Sequence, residues 1–530
     1  MFPTSARLET LQKTVGDDLL MFAPELVVCA GIVTLLLARL IPEFDRTHLG
    51  VLAITVLTAA LFAIGFHIAT HGQSAGSYFE GMLISDPFAG FVRCLVLGAS
   101  LLTVLLSQVS GIPDSDDSAD FYTLLLGGTL GMLLMASANH LMMVFIAVEM
   151  ASLPSYALAG FLKGKRTGSE ASLKYVIYGA GASGVMLYGI TLLAGTFGTG
   201  YLPDVAEATA RRALDLPILA GYGFLLVGLG FKLAAVPFHF WCPDVFEGAA
   251  AEVAGFLSVT SKAAAVALTA RLLMTLQAHF VNYHNQIWVV PGSLGLGVGV
   301  IAAITITFGN LAAFGQTNLK RLLAYSTIAH AGYMLLAVAT ASEAGAASIL
   351  YYLIAYIAMN LGAFAVVALV RNATHSEELT AYRGLIKRSP VLAITFTLFL
   401  LSLLGLPPLA GLPGKFNVFA AVYDTAKNAI ASGHANLGVT FYLLFGVAAV
   451  NTALSAYYYL KVVRVMLLES PDGENAPESA INELKNTIAV GPFAAMYLSV
   501  LSIALFVAFV AWDPLIKAAN DAASTFFKRY

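Results

Sequence analysis

Charge is scarce in this sequence. Only 11% of its 530 residues are Asp, Glu, Lys or Arg, against roughly 25% in soluble domains. Too little polar surface remains to clothe a water-soluble globule of this size. Cysteine is nearly absent as well. Cys29, Cys94 and Cys242 lie far apart with no paired spacing, which excludes a disulfide framework, a zinc knuckle and an iron–sulfur ligand set. Nowhere does a strand-turn-helix setting carry a glycine-rich dinucleotide fingerprint. The net charge is only −3, so the balance does not point to nucleic acid. A basic lead followed by a small-residue cleavage site is also missing from the first twenty residues, which carry Glu9, Asp17 and Asp18. They read as a polar tail before a retained first span.

What the sequence has in excess is apolar length, with 58% hydrophobic residues. A bilayer crossing needs about 20 of them in a row. Against that ruler the candidates are Leu19–Ile41, Leu49–Ala69, Pro87–Ser107, Phe121–Ala136, Leu141–Phe161, Ala171–Thr196 and Pro217–Trp241, then Ala251–Leu276, Ile287–Phe308, Leu322–Thr340, Ala346–Val370, an interrupted Pro390–Tyr423, Val439–Val463 and Ile488–Trp512. These continuous segments, about fourteen by that measure, predict helices and not barrel strands, because in lipid each backbone group must be satisfied within the segment. The expected fold is an all-α integral membrane bundle.

Alternate loops sort the basic residues unequally. One face collects Arg39, Arg46, Lys163, Lys165, Arg166, Lys320, Arg321, Arg371, Arg383, Lys387, Arg388, Lys461, Arg464 and Lys485; the other holds Arg7, Lys13, Arg211, Arg212, Lys427, Lys517 and Lys528. The positive-inside rule makes the first face cytoplasmic and puts both termini outside. The acidic run Asp114 to Asp120 then reads as a solvated cytoplasmic loop.

Four charges have no topological excuse. Lys232 and Lys262 fall mid-span, Lys415 falls at the interruption of the twelfth span, and Glu149 falls near the centre of the fifth. Each costs about 2.5–3.5 kcal/mol at a helix centre, roughly 10 kcal/mol together. Burial disfavours the charged form of a lysine or a glutamate, and an opposite charge restores it. A buried lysine beside a switchable glutamate is therefore a proton site of adjustable affinity. A change of about three to four pKa units is worth about 4–5 kcal/mol, enough to move one charge against about 200 mV. Arginine cannot do this, because it does not deprotonate. Static ion pairs that fix helix packing are the competing reading of the same residues.

Prolines add a second pattern. Lys232 is followed by Pro237, and Lys415 is preceded by Leu406-Pro407-Pro408 through Gly411-Leu412-Pro413-Gly414. Each helix should break near its lysine. Paired interruptions in two halves point to an inverted-repeat transporter site, although simple proline kinks give the same sequence. His239 and His330 stand where they either relay protons or pack as hydrogen-bonded histidines. His67 and His140 read as interfacial. Lys174 either lies on a cytoplasmic uptake path or snorkels, and Tyr325 and Ser326 either order water beside His330 or pack.

The motifs now suffice for comparison. Phe121-Tyr122-Thr123 onward, Val148-Glu149-Met150-Ala151-Ser152-Leu153-Pro154, Glu170-Ala171-Ser172-Leu173-Lys174-Tyr175, Phe231-Lys232-Leu233-Ala234-Ala235-Val236-Pro237-Phe238-His239-Phe240-Trp241, Phe256 to Lys262, Asn318 to His330 and Gly414-Lys415-Phe416 occur in order along the chain. Together they resemble the antiporter-like subunits of respiratory complex I, NADH-quinone oxidoreductase, over essentially the whole chain. The N-type subunit is the nearest, since the M-type has glutamate at the place of Lys415.

The resemblance implies about fourteen helices, with three N-terminal helices over 1–120, inverted five-helix repeats over 121–280 and 281–466, and a last helix and tail over 467–530. It implies that Glu149 pairs with and tunes Lys232, that Lys262 is the middle proton carrier, and that Lys415 lies nearest the outward exit. His239, His330, Lys174 and Tyr325 would support them. It implies no cofactor in this chain: flavin, iron–sulfur clusters and the quinone site belong to other subunits of an inner-membrane assembly. The partners would be adjacent antiporter-like and small membrane-arm subunits and the lipid bilayer. A cation/proton antiporter component or a proton-pumping membrane hydrogenase subunit is the alternative.

Two places depart from the family. After Gly248, where a proline is usual, stands Ala249-Ala250-Ala251-Glu252. Glu252 lies about 15 Å along a helix from Lys262, too far to pair with it, and a surface position is expected. Pro413 replaces a bulky apolar residue and should widen the break beside Lys415.

Overall fold

The computed structural model describes residues 15–40, 49–71, 76–111, 118–162, 166–212, 214–284, 291–470 and 487–528. Arg7, Lys13, Arg46, Lys163, Lys165, Lys485 and the 114–117 part of the acidic run lie outside the described residues, as do both chain ends. The last acid of that run, Asp120, forms an exposed ion pair with Arg39.

In chain order the elements are α1 (Val15–Met21), α2 (Ala23–Ala38), α3 (Gly50–His71), β1 (Gly76–Tyr78), β2 (Leu83–Ser85), α4 (Pro87–Ser110), α5 (Ser118–Ser137), α6 (Leu141–Ala159), α7 (Arg166–Phe197) and α8 (Leu202–Arg211). They continue with α9 (Leu216–Leu233), α10 (Trp241–Gly248), α11 (Ala251–Phe256), a π-helical turn (Leu257–Ser261), α12 (Lys262–His284), α13 (Pro291–Ala313), α14 (Leu319–Ala339) and α15 (Glu343–Thr374). The last are α16 (Leu385–Arg388), α17 (Pro390–Leu404), α18 (Gly411–Ala431), α19 (Ala435–Leu467), α20 (Pro492–Val510), α21 (Trp512–Ala523) and α22 (Thr525–Lys528).

Twelve helices among the described residues are long and apolar enough to cross a bilayer, thirteen if α1 and α2, bent by 76° at their junction, form one span. The twelfth span is interrupted, as expected, and divides into the 15-residue α17 and the more polar α18. Among the described residues the only sheet is the antiparallel β1–β2 hairpin, which the apolar ruler could not foresee. Its turn is pinned by the Asn139 side chain, which donates to the Gly81 carbonyl at 3.1 Å.

The order of elements recurs. Two helices, a 32-residue helix, an interrupted helix and a long helix follow one another as α5, α6, α7, α9–α10 and α11–α12, and again as α13, α14, α15, α17–α18 and α19. Burial varies strongly between helices. The continuous α11–α12 stretch, α14 and α15 are almost wholly buried, whereas α3, α7 and α19 show much of their surface outward. Phe62, Phe66, Leu173, Ile177, Leu443 and Val450 are exposed on those outer helices, the arrangement expected where lipid and not water is the solvent. Helix α15 packs on α17, α18, α20 and α21 of the second half and on α4 and α11 of the first. It places the second half of the chain against the first.

Candidate proton-translocation axis

Both interruptions are built the same way. Helix α9 ends with Ala234 in the left-handed region (φ 56°), the Ala234 amide donating to Phe231 and the Ala235 amide to Gly230. Helix α17 ends with Gly405 (φ 93°), its amide reaching Ser402 and the Leu406 amide reaching Leu401. This is the Schellman closure, which satisfies carbonyls that the helix end leaves open. A proline follows three residues later in each, Pro237 and Pro408, and cannot restart the helix ladder. At the first break the left-handed residue is an alanine, which bears a steric cost of about 1–2 kcal/mol that glycine avoids.

The second break requires one glycine for a different reason. A Cβ on Gly411 would lie 1.7 Å from the Ser402 carbonyl oxygen, so only glycine lets the start of α18 approach the end of α17. Pro413, expected to widen the break, stands inside the first turn of α18, where its missing N–H leaves no helical bond unmade.

These breaks place the lysines. Lys232 stands in the last turn of α9, not mid-helix, where the helix dipole favours a cation. Its buried Nζ donates to Ser152 Oγ at 3.0 Å. Lys415, four residues into α18, reaches back across the gap and donates to the Leu404 carbonyl at 3.0 Å, with its Nζ 4.9 Å from the Tyr333 ring centroid. Lys262 opens α12 directly after the π turn, a helix distortion frequent at functional sites. Its Nζ is fully buried without a hydrogen-bond partner among the described residues, 5.4 Å from the Trp241 ring centroid and 6.0 Å from Phe246. Trp241 is held by stacking on Tyr175 at 4.3 Å and by its indole N–H on the Phe231 carbonyl.

Glu149 and Lys232 are not in ion-pair contact. The glutamate Oε1 accepts from Ser183 Oγ on α7, while Lys232 takes Ser152, one turn further along α6. Two serines thus hold the partners apart, although the charge of Glu149 still acts on Lys232 through space, as does that of Lys262. Among the described residues none of the three axial lysines lies within 4.0 Å of a carboxylate oxygen.

Between Lys262 and Lys415 runs a polar file. Ser258 of the π turn accepts from Asn360 Nδ2 at 2.8 Å, and the same amide donates to Tyr356 Oη at 2.8 Å. The Tyr356 ring lies 5.4 Å from that of His330. His330 bonds Tyr352 Oη through Nδ1 at 2.5 Å and Tyr459 Oη through Nε2 at 3.1 Å, and Tyr459 bonds Ser326 at 2.6 Å. Tyr325 does not join this file. It turns toward Phe308 at 6.5 Å, because it is five residues from His330, whereas Ser326 is four and shares its face. His239 is buried between the rings of Phe240 and Phe308, 4.4 and 4.3 Å away, and its Nδ1 has no partner among the described residues.

Lys174 is half-exposed and stands in an ion-pair cluster. It bonds Glu170 at 2.8 Å and Asp244 at 2.7 Å, and Arg321 bridges Asp244 and Glu247 at 2.7 Å each. Partial burial raises the Asp244 carboxyl, but hydrogen bonds from Lys174 and Arg321 outweigh it and hold its pKa below the usual carboxylate value.

Several buried charges escaped the sequence reading. Arg93 forms a double contact with Glu25, and Arg271 a bidentate pair with Asp86 at 2.7 and 3.0 Å, all four buried. The depth rule that singled out the lysines applies equally to Arg93 and Arg271, each well inside an apolar span. Glu252 is not at the surface. It is fully buried, with Arg371 Nη2 3.1 Å from Oε1, because α11 is enclosed by α4 and α15. Each of these three arginines is tied to a carboxylate, and each axial lysine is not.

Residues 138–441 match the family model described as NADH:quinone oxidoreductase/Mrp antiporter, TM. NADH-quinone oxidoreductase subunit N of Anaeromyxobacter sp. (strain Fw109-5) is 39% identical over 98% of this chain and 100% of its own length. A chain of respiratory complex I from Thermus thermophilus with bound aureothin superposes with a TM-score of 0.73 at 31% identity, over 93% of this chain and 98% of that one. A chain of the Mrp complex from Dietzia sp. DQ12-45-1b gives a TM-score of 0.77 at 20% identity over 96% and 98%, a likeness of fold. The interrupted helices and the matches along nearly the whole length lead to one statement: the chain belongs to the NADH:quinone oxidoreductase/Mrp antiporter family of membrane proteins.

Proposed function

We propose that the chain is a proton-translocating membrane-arm subunit of an NADH-quinone oxidoreductase, and that Glu149, Lys232, Lys262 and Lys415 carry the protons. The observation behind this reading is the contrast between the buried cations. An arginine locked on a carboxylate is a fixed pair. An ammonium removed from water and offered a hydroxyl, a carbonyl or an aromatic face can lose and regain its proton as a neighbouring charge moves. Redox energy released in other subunits reaches this one as a mechanical or electrostatic pulse that opens and closes the Glu149–Lys232 pair. The proton on Lys232 then moves by Lys262 and the Asn360–His330 file to Lys415. His239 and His330 serve as relay groups.

In this reading residues 121–280 and 281–466 are two inverted repeats, and the basic face is cytoplasmic with both termini outside the inner membrane. The neighbours are the other antiporter-like and small membrane subunits. Flavin, iron–sulfur clusters and the quinone site lie in other subunits. The test is Lys232→Ala and Glu149→Ala in the assembled complex. Coupled NADH:quinone turnover and vesicle acidification should both collapse, and a parental proton-to-electron ratio in both variants refutes the assignment.

A further inference from the structure

Among the described residues three carboxylates are buried, and they are not alike. Glu25 places both oxygens on Arg93, and Asp86 places both on Arg271. Glu252 offers only Oε1 to Arg371, while Oε2, equally buried, has no partner. Arg371 does not close around it because the same guanidinium also donates to Asn372 Oδ1 from Nη2 at 3.0 Å and from Nε at 3.3 Å. A buried acceptor left open is costly, and such exceptions call for a reason.

The position of Glu252 suggests one. It stands on α11, which runs through the π turn into Lys262, and every residue from 251 to 270 is buried. Three more polar atoms on this stretch lack partners: Thr260 Oγ1, Ser261 Oγ and Lys262 Nζ. Hydroxyls both accept and donate, so they can pass a proton on. At the other end, Lys320 Nζ bonds the Ala249 carbonyl just before α11 at 2.6 Å and Glu377 at 2.9 Å. Two cations therefore face two carboxylates, and a proton on Glu252 leaves one positive charge in excess, which favours its onward passage.

We propose that Glu252 is the proton-loading group for Lys262, on the side of the bundle that carries Lys320 and Arg371. This rests on the proton-translocation reading above. A proton binds Oε2; its O–H bond later breaks and an N–H bond forms on neutral Lys262, about 15 Å along the helix, with water carrying the exchange from Glu252 to the π turn and the Thr260 and Ser261 hydroxyls completing it beside the lysine. The carboxylate returns to its Arg371 pair and the lysine becomes the ammonium.

The experiment uses the assembled complex in inverted membrane vesicles. Glu252→Gln keeps a side-chain oxygen for Arg371 and removes the proton site, so coupled turnover and acidification should fall about a hundredfold, the lower end of the range for loss of a positioned acid–base group. Glu252→Asp should retain part of the rate. Parental turnover and proton-to-electron ratio in Glu252→Gln overturn the proposal. If that variant does not assemble on a blue-native gel, Glu252→Leu with Arg371→Leu removes both charges of the pair; full pumping there overturns the proposal and loss supports it. Lys262→Ala is run in parallel. Its failure to pump beside a normal Glu252→Gln defeats only the loading role, whereas normal pumping in both defeats the axis itself.

Discussion

Ser152→Ala probes the arrangement of the first lysine most directly. The hydroxyl accepts the 3.0 Å bond from Lys232 and is anchored by donating to the Val148 carbonyl at 2.6 Å. A hydrogen bond to a charged group contributes about 1.5–3 kcal/mol. Its removal shifts the balance between the separated Glu149–Lys232 state and the contact pair about ten- to a hundredfold toward contact, at 1.4 kcal/mol per factor of ten. If each cycle must reopen the pair, coupled turnover falls by up to that factor, with assembly intact because only one small buried hydroxyl is removed. The assay is NADH:quinone turnover in vesicles with and without an uncoupler, beside acidification by a fluorescent amine. Ser152→Thr, which keeps the hydroxyl, should stay close to the parent. A Ser152→Ala enzyme with parental rate and parental proton yield would refute the idea that this serine holds the open state.

Other variants address the scaffold and the second half of the axis. Asp86→Asn strands Arg271 in a buried site and should cost about 3–5 kcal/mol, read as a lower melting temperature of the purified complex; Asp86→Leu with Arg271→Met should recover most of the loss. Gly411→Ala, whose Cβ would meet the Ser402 carbonyl at 1.7 Å, should prevent α18 from docking and remove the subunit from the assembled band on a blue-native gel; normal assembly contradicts the close approach. Tyr352→Phe leaves His330 Nδ1 without its 2.5 Å partner, an expense of about 1–3 kcal/mol, and should slow coupled turnover. Tyr325→Phe should be silent, and the reverse order of the two effects would show that the file passes through the wrong tyrosine.

Much of this molecule is legible in one dimension. In lipid a helix satisfies its own backbone, so apolar length alone locates most spans. The breaks follow from Pro237 and Pro408 by local chemistry, and the depth of Lys232, Lys262 and Lys415 follows from counting. Where counting failed, the reason is specific. A surface position is expected of Glu252, which is too far along its helix to pair with Lys262, yet α4 and α15 cover it. Pro413, expected to widen the break, falls inside α18, whose start at Gly411 is decided by contact with α17. Spacing puts Ser326 and not Tyr325 on the face of His330, but only the fold brings Tyr459 of α19 to both of them.

The sequence by itself determined the solvent, the helical class, the two interruptions and the family, because each depends on composition, on neighbours within a turn or two, or on motifs in order. Only the tertiary structure decided which charges are paired. Arg271 and Asp86 are 185 residues apart, Lys232 and Ser152 are 80 apart, and Arg371 and Glu252 are 119 apart. Whether a buried cation is locked or free to titrate depends on which distant helix packs against it, and helix packing is a property of the whole bundle and not of any segment.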